Sequence, residues 1–270
     1  MLLPNRIYNL NLMFNGPERG GWWHSIPPVT RNLIVINVGL WLIEFILPGF
    51  ADRTLVRILG LHYADSALFN PIQLITYMFL HDPSNPTHVL FNMFTLWMFG
   101  RTLEMVWGSK RFFIFYMICG IGAALMQEGV WALTWRSDYI EGIARLNGMT
   151  VSHMRDIVDT SIARGDSQFL AAMADYRSMI VTMGASGAVF GLLLGFAFVF
   201  PDLPLYLFFI PVPIKAKYMV IGYGVLEFFL GVNGAMSSVA HFAHLGGMLF
   251  GLVILLYWKK KGTLRGGRFY

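Results

Sequence analysis

Six apolar segments, each about as long as a membrane-spanning helix, constrain the fold of this chain more than any other feature. A helix that crosses a bilayer needs about 20 mostly apolar residues. Of the 270 residues, 56% are hydrophobic and 13% are charged, which is too apolar for an ordinary soluble domain. The predicted spans cover residues 32–48, 87–103, 112–134, 182–200, 216–232 and 240–258. We therefore predict an all-α membrane protein built as a bundle of six transmembrane helices.

The basic residues are distributed unevenly between the two ends of the predicted spans. If both termini lie on one side, that side carries thirteen of the twenty Lys and Arg residues. Loops rich in Lys and Arg stay in the cytoplasm, so both termini are expected there, in a multi-pass protein of the cell (plasma or inner) membrane. The predicted organisation is a cytoplasmic segment 1–30, a membrane domain 31–258 and a basic cytoplasmic tail 259–270. We interpret the tail as an anchor beside anionic lipid, so a lipid bilayer and no nucleic acid is the expected partner.

Two of the connections between spans carry structural signals of their own. Segment 71–80 is apolar but only about ten residues long, which predicts an interfacial or re-entrant helix in the first outer loop. The outer loop 136–180 is the most polar stretch, with five Arg against six Asp or Glu. Within it, residues 166–179 have helical periodicity and predict an amphipathic helix at the outer surface. The apolar residues able to share one face are Phe169, Leu170, Met173 and Tyr176.

Five polar side chains fall at a similar depth near the outer ends of spans two, four and six. They are His88, Asn92, Ser186, His241 and His244. Polar groups within a membrane are costly and usually functional. Serine needs a base to become a nucleophile, and a neutral imidazole can accept its proton and later return it to a leaving amine. The pattern therefore predicts that Ser186 is a nucleophile and His244 its base.

Glycines at four-residue intervals indicate how these two side chains could meet. Small residues at this spacing let two membrane helices approach closely. Contact between the ridges of spans four and six would bring Ser186 within reach of His244. The ridge residues are Gly187, Gly191 and Gly195 in span four, and Gly247 and Gly251 in span six.

No carboxylate lies near the nucleophile or the base in sequence. Glu44 and Glu227 have a suitable depth, but we expect each to be a hydrogen-bond partner between packed helices, which leaves a Ser–His dyad. Phe190 comes one turn after Ser186, so its ring is expected to stack on the imidazole of His244.

An oxyanion needs preorganised donors, and span two can supply them. His88 and Asn92 are four residues apart and share a helix face. They are expected to stabilise the oxyanion together with the backbone N–H of Ser186. The alternative interpretation is that Asn92 joins helices and His88 caps a helix interface.

These residues belong to a series of motifs with a characteristic order and spacing. The motifs are Gln73–His81 (QLITYMFLH), His88–Asn92 (HVLFN), Gly100 with Glu104 and Gly108-Ser109, Gly184–Gly187 (GASG) and Ala243–Gly251 (AHLGGMLFG). Over residues 31–258 the sequence resembles the rhomboid family of intramembrane serine proteases, in its bacterial type with a six-span core. The resemblance implies Ser186 and His244 as the catalytic residues, and His88, Asn92 and the Ser186 amide as the oxyanion hole. It places Gly184 in the nucleophile motif and Gly247 and Gly251 in the packing ridge.

Three functions remain open on the sequence. The first is hydrolysis of peptide bonds in or next to transmembrane segments of other membrane proteins, with no cofactor and no metal. The alternative is a catalytically silent rhomboid-like factor that binds membrane proteins in quality control. A metal site or ion pathway is disfavoured, because its histidines come without a carboxylate or cysteine. Those histidines are His81, His88, His241 and His244, and the resemblance leaves the roles of His81 and His241 open.

Overall fold

The computed structural model describes residues 22–47, 49, 51–207, 210–233 and 240–263. Most of the predicted cytoplasmic segment 1–30 and the end of the predicted tail 259–270 lie outside the described residues.

The described chain is mostly helical, as the apolar segments predict. The α-helices are α1 Pro28–Ile46, α2 Arg57–Leu59, α3 Gln73–Thr76, α4 Pro86–Thr95, α5 Arg101–Trp107, α6 Ser109–Leu146, α7 Val151–Ala163, α8 Ser167–Met179, α9 Ser186–Val199, α10 Ala216–Val232 and α11 His241–Lys260. Short 3-10 helices cover Trp22–Ser25 and Tyr77–Phe79, and π-helical turns cover Ala51–Val56 and Leu96–Gly100. The strands are β1 Leu61–His62, β2 Val181–Thr182, β3 Pro204–Leu207 and β4 Ile210–Lys215. Two small antiparallel pairs, β1 with β2 and β3 with β4, therefore modify the all-α prediction.

Within the described residues, three helices are both long enough and apolar enough to cross a bilayer: α1, α6 and α11. Helix α9 is apolar but has only 14 residues. The sequence predicted its span from residue 182, but Val181 and Thr182 form β2 and the helix begins at Ser186. The predicted re-entrant segment 71–80 contains α3 followed by a 3-10 turn, both too short to span a membrane.

The surfaces of α1 and α10 support a membrane environment. Large apolar side chains on α10 stay exposed, including Ile221 at 62% and Phe229 at 58% of their surface. On α1, Phe45 and Ile46 are similarly exposed. Soluble monomers rarely expose contiguous apolar surfaces of this kind, whereas hydrocarbon chains solvate them. The chain is a helical membrane protein.

Glu104 in α5 fixes the beginning of α1. The first backbone N–H groups of a helix have no partner within the helix. Here Glu104 Oε1 accepts from Val29 N at 3.0 Å, and Oε2 accepts from Thr30 N at 2.7 Å and Thr30 Oγ1 at 2.8 Å. Ser109 Oγ donates to Glu104 Oε1 at 2.6 Å. A buried carboxylate with four donors thus joins α1, α5 and α6 at one end of the bundle.

Residues 135–179, which we call the helical cap, differ most from the sequence prediction. We predicted a charged loop with one helix, but α6 continues to Leu146 and is followed by α7 and α8. Gly148 (φ +61°) and Gly165 (φ +67°) end α6 and α7 in a conformation that favours glycine. Asp166 Oδ1 accepts from the N–H groups of Gln168 and Phe169 and begins α8.

The helical cap has a small apolar core of its own. The predicted face of α8 is confirmed for Met173, which is buried, and for Phe169 and Tyr176, which pack beside it. Leu170 instead stays 42% exposed. The buried residues are Tyr139, Ile140, Ala144, Met154, Val158 and Met173. Helix α8 thus packs on α6 and α7 rather than standing alone.

Strands β1 and β2 join the first connection to the segment before Ser186. Leu61 pairs with Thr182 and His62 with Val181. Burial lowers the pKa of His62, so its imidazole is neutral at pH 7. Arg177 Nη1 at the end of α8 also donates to Asp65 Oδ2 at 2.7 Å. The start of α9 is therefore fixed from two sides, by the helical cap and by the first connection.

Candidate active site

Ser186 and His244 meet where two helices begin. Ser186 is the first residue of α9, and His244 lies in the first turn of α11. His244 Nε2 lies 2.8 Å from Ser186 Oγ. His244 is 7% exposed and Ser186 is half-buried. A hydroxyl at this distance from an imidazole nitrogen has the geometry of a nucleophile and its general base.

Glycines on both helices make this approach possible. A Cβ atom at Gly247 would lie 1.9 Å from the Gly187 carbonyl oxygen, and one at Gly191 would lie 2.4 Å from Cys119 Sγ. Gly251 lies close to the same sulfur. Gly195, which the sequence predicts in the same ridge, instead faces the rings of Phe115 and Trp107. Any side chain at Gly247 would therefore move α9 and α11 apart and separate the hydroxyl from the imidazole, whereas a Cβ at Gly187 would lie 2.4 Å from the Ala123 Cβ of α6.

Gly184 shapes the turn that leads into the serine. Its φ of +133° is rarely adopted by residues with a side chain. Gly184 N donates to the Tyr77 carbonyl oxygen at 3.0 Å. A Cβ at this position would lie 2.9 Å from His88 Cε1 and 3.7 Å from Ser186 Oγ. Gly184 therefore lets the His88 ring lie next to the start of α9.

Asn92 is held by a second histidine. Asn92 Nδ2 lies 3.0 Å from His81 Nε2, and both side chains are buried. His81 N in turn donates to Glu44 Oε2 at 3.2 Å. Glu44 is thus a hydrogen-bond partner as predicted, but its donor lies in the segment after the 3-10 turn Tyr77–Phe79 and not in a packed helix. A side-chain amide has two N–H donors, so the contact with His81 occupies one of them and fixes the plane of the Asn92 amide.

Phe190 covers one face of the imidazole. The rings of Phe190 and His244 are stacked, with centroids 4.2 Å apart and planes inclined by 5°. Tyr223 of α10 meets Phe190 edge-on, with centroids 6.4 Å apart. Aromatic contacts of this kind restrict ring rotation, so the plane of His244 is fixed.

Glu227 is the main residue of this site whose position the sequence did not predict. The sequence predicts only a packing role for it, but its Oε2 lies 3.0 Å from His244 Nδ1 and 2.6 Å from His241 Nδ1. All three residues are buried. The sequence signal that could have identified Glu227 is a carboxylate at a suitable membrane depth. Glu44 has the same signal, so the sequence does not distinguish the two residues.

Glu227, His241 and His244 also form the set that could hold a metal ion in the described part of the chain. One ligand atom from each lies within 4.8 Å of the others. This differs from the four histidines that the sequence grouped, because His81 and His88 form a separate edge-to-face pair with ring centroids 5.2 Å apart. The potential ligand atoms of the three-residue set already bind one another through hydrogen bonds.

A cavity of about 470 Å³ opens over Ser186 and His244. Its volume lies in the range of small-ligand and peptide sites. Its walls bring together the ends of α4, α9 and α11 with strand β2. Among the lining residues are His88, Asn92, Ser186, Phe190, His244 and Thr182. The predicted nucleophile, base and oxyanion donors thus face one space.

Comparison with known proteins agrees with the motifs. The Rhomboid domain family model matches residues 69–140 and 157–261, together more than half of the chain. The chain is also similar to "Rhomboid protein 1, mitochondrial" of Saccharomyces cerevisiae, with 29% identity over 173 residues. That match covers 64% of this chain and 38% of the yeast protein, so the chain spans well under two thirds of the length of this relative. The first matched segment contains His88 and Asn92, and the second contains Ser186 and His244. This match over more than half of the chain shows that the chain belongs to the rhomboid family.

Proposed function

We propose that this chain is an intramembrane serine endopeptidase, which hydrolyses peptide bonds in or next to the transmembrane segments of other membrane proteins. The observation that carries the proposal is the 2.8 Å distance between Ser186 Oγ and His244 Nε2. It occurs inside a cavity at the ends of two apolar helices. A protein that only binds membrane helices has no need of a base aligned on a serine hydroxyl.

The first half of the reaction would form an acyl-enzyme. The Ser186 proton passes to His244 Nε2 while Oγ attacks the carbonyl carbon of the substrate. The tetrahedral intermediate collapses when His244 Nε2 gives that proton to the leaving amine. A water molecule then attacks the ester, with His244 again taking and returning a proton, which releases the carboxylic acid and restores the serine.

The oxyanion would be held by three donors from two helices. The backbone N–H of Ser186 comes from α9, and the second N–H of Asn92 and a ring N–H of His88 come from α4. Because His81 already holds the Asn92 amide plane, this donor needs no reorganisation when charge develops, as efficient electrostatic stabilisation requires.

The proposed placement in the membrane has six spans, over a protease domain 31–258. Both termini would be cytoplasmic, with the cavity opening towards the outer face of the cell membrane, where water can reach Ser186. A substrate helix must unwind there, because its backbone is shielded while it is helical. Small or helix-breaking residues near the cleaved bond are therefore expected in the transmembrane substrates.

Covalent labelling and co-expression test the proposed activity. The purified protein should react with a fluorophosphonate probe, and the Ser186→Ala variant should not. Co-expression with a panel of tagged single-span membrane proteins should give a cleavage product only with the wild type. A folded wild-type protein that neither labels nor cleaves any member of the panel would support the silent rhomboid-like binding factor instead.

Reporter fusions test the orientation. A reporter fused after Tyr270 should be cytoplasmic, and a tag within residues 140–175 should be accessible from outside. The unequal distribution of Lys and Arg motivates this expectation. Protection of the 140–175 tag from added protease in intact cells would reverse the proposed orientation.

A further inference from the structure

Glu227 carries a buried charge that the Ser–His pair does not explain. Its Oε2 lies within hydrogen-bonding distance of two imidazole nitrogens, Nδ1 of His244 at 3.0 Å and Nδ1 of His241 at 2.6 Å. It lies on α10, whereas both histidines lie in the first turn of α11. Burial of a carboxylate is costly unless it is paired, and charged groups within membrane segments usually serve function.

The hydrogen-bond geometry defines the tautomer of His244. An ionised carboxylate can only accept hydrogen bonds, so the Nδ1 atom that faces Glu227 must carry the hydrogen. The Nε2 atom of the same ring then keeps its lone pair and can accept the proton of Ser186 Oγ, 2.8 Å away. The opposite tautomer would point an N–H at the serine and could not act as a base.

From this arrangement we propose that Glu227 is a positioning residue for His244 and that His241 holds the Glu227 carboxylate in place. The inference rests on the proposed serine protease function and extends it from a Ser–His pair to a Ser186–His244–Glu227 series. When the serine proton moves to Nε2, His244 becomes a cation beside the Glu227 anion, so the two charges compensate each other. The proton then goes to the leaving amine, and Glu227 itself gains none, as in other triads.

His241 supplies the second support of the carboxylate. Its Nδ1–H donates to the same oxygen that faces His244, and its ring meets the His244 ring edge-on, with centroids 6.4 Å apart. Phe190 stacks on the face of His244. The ring plane is thus fixed by Phe190, its tautomer by Glu227, and the position of Glu227 by His241.

The test compares Glu227→Gln with the same substitution at Glu128. Glu128 also lies on an apolar helix, where its Oε2 accepts from Ala64 N at 2.8 Å, and it does not line the cavity. Both variants of the full chain are purified, and the rate of fluorophosphonate labelling of Ser186 is measured over a range of probe concentrations. The maximal rate reports the reactivity of the nucleophile, and half-saturation reports probe binding.

Glu227→Gln is expected to lower the maximal labelling rate by about 100- to 10,000-fold, with half-saturation nearly unchanged. Glutamine can donate its amide N–H to Nδ1 and so favour the wrong tautomer, an effect that costs about 10⁴-fold in a soluble serine protease. Glu227→Asp keeps the charge and should recover part of the rate. Glu128→Gln should label as the wild type does.

His241 variants extend the test and carry it if Glu227→Gln fails to fold. His241→Gln retains a side-chain N–H donor and should label within a few-fold of the wild type. His241→Phe keeps a ring of similar shape without the donor, and we expect a loss of about tenfold or more. If His241 only fills space, Phe would be the better-tolerated substitution, and that result would overturn the proposal.

The outcomes separate this inference from the proposed function. If wild type labels and Glu227→Gln labels at the same rate, the positioning role is wrong and the Ser–His protease remains. If wild type does not label at all, the protease proposal fails and the positioning role fails with it. If a chelator abolishes wild-type labelling and zinc alone restores it, the three residues form a metal site and the positioning role is wrong.

Discussion

Glu104 and Glu227 are both buried carboxylates, and they lie near opposite ends of α11. His241 and His244 beside Glu227 begin this helix, whereas Trp258 near its other end contacts Trp107 of α5, with ring centroids 5.9 Å apart. Twenty helical residues separate the two ends by about 30 Å. Glu104 accepts from two backbone N–H groups and two hydroxyls, and Glu227 accepts from two imidazoles.

The difference lies in the donors. Backbone amides and hydroxyls keep their protons at every pH at which the protein is folded, so the Glu104 end can only hold helices together. An imidazole nitrogen can accept a proton and return it during a reaction, so the Glu227 end can change its charge while the substrate is cleaved. Substitutions at the first end should alter stability without reactivity, and substitutions at the second should alter reactivity without stability.

The largest effect is expected from Ser186→Ala or His244→Ala. Either substitution should lower kcat by about 10⁶-fold, as loss of the serine or the histidine does in a soluble serine protease, while the melting temperature changes little. The double variant should be no worse than either single one, because nucleophile and base act as a unit. Cleavage of a tagged single-span protein and a thermal melt measure the two quantities. Substantial proteolysis by purified Ser186→Ala would show that Ser186 is not the nucleophile, and the contrast between the Glu104 and Glu227 ends would fail.

The next largest effect on activity is expected from Asn92→Ala. Loss of one oxyanion donor typically lowers kcat about 100- to 1000-fold, with a smaller change in KM. Stability should fall by only about 0.6 kcal/mol, the average for a hydrogen bond between membrane helices. Asn37→Ala is the matched control, because the buried Asn37 amide donates at 2.7 Å to Leu33 O within its own helix. If Asn92→Ala cleaves normally but melts much earlier, Asn92 only joins helices.

Glu104→Gln should show the opposite behaviour. Its side-chain amide would place N–H groups against the donors that now meet a carboxylate, and each lost bond to a charged group costs about 1.5–3 kcal/mol. The melting temperature should therefore fall clearly, while the folded protein labels with fluorophosphonate at the wild-type rate. A slower labelling rate at a temperature where the variant is fully folded would break the division between the two ends.

The smallest effect is expected from Phe190→Leu. An aromatic stack contributes about 0.5–1.5 kcal/mol, which corresponds to about 2- to 10-fold in kcat. Phe190→Tyr retains the stack and should stay within about twofold of wild type. Equal rates for the leucine and tyrosine variants would mean that the orientation of His244 comes from its hydrogen bonds alone.

The sequence predicted the features that follow local rules. Apolar segments fixed most of the helices, and motif spacing brought Ser186, His244 and Asn92 to one region. Local rules could not predict that Glu227 is the partner of His244, because Glu227 lies 17 residues away on another helix. The rotation of that helix depends on how it packs. Glu44 and Glu227 were equivalent in depth, and only the packed structure assigns one to His81 and the other to His244.

Two further features had no adequate signal in the sequence. Strands β1 and β2 have two residues each, too few for an alternating pattern. The helical cap was hidden by its charge, since a polar composition is typical of both loops and exposed helices. The helix ends within it were nevertheless marked by Asn147-Gly148, which ends α6, and by Gly165-Asp166, where a helix C-terminus and an N-cap follow one another.

The turn between α7 and α8 gives the molecule a natural attachment point. Space around Gly165 is open, with no atom within 4 Å of a Cβ built there, and the helices on either side are held by the core of the helical cap. A rigid protein inserted at this turn would add a large, recognisable mass to the helical cap. Such a fusion would give electron microscopy an alignment marker on a 30.6 kDa particle, at a turn that does not line the cavity.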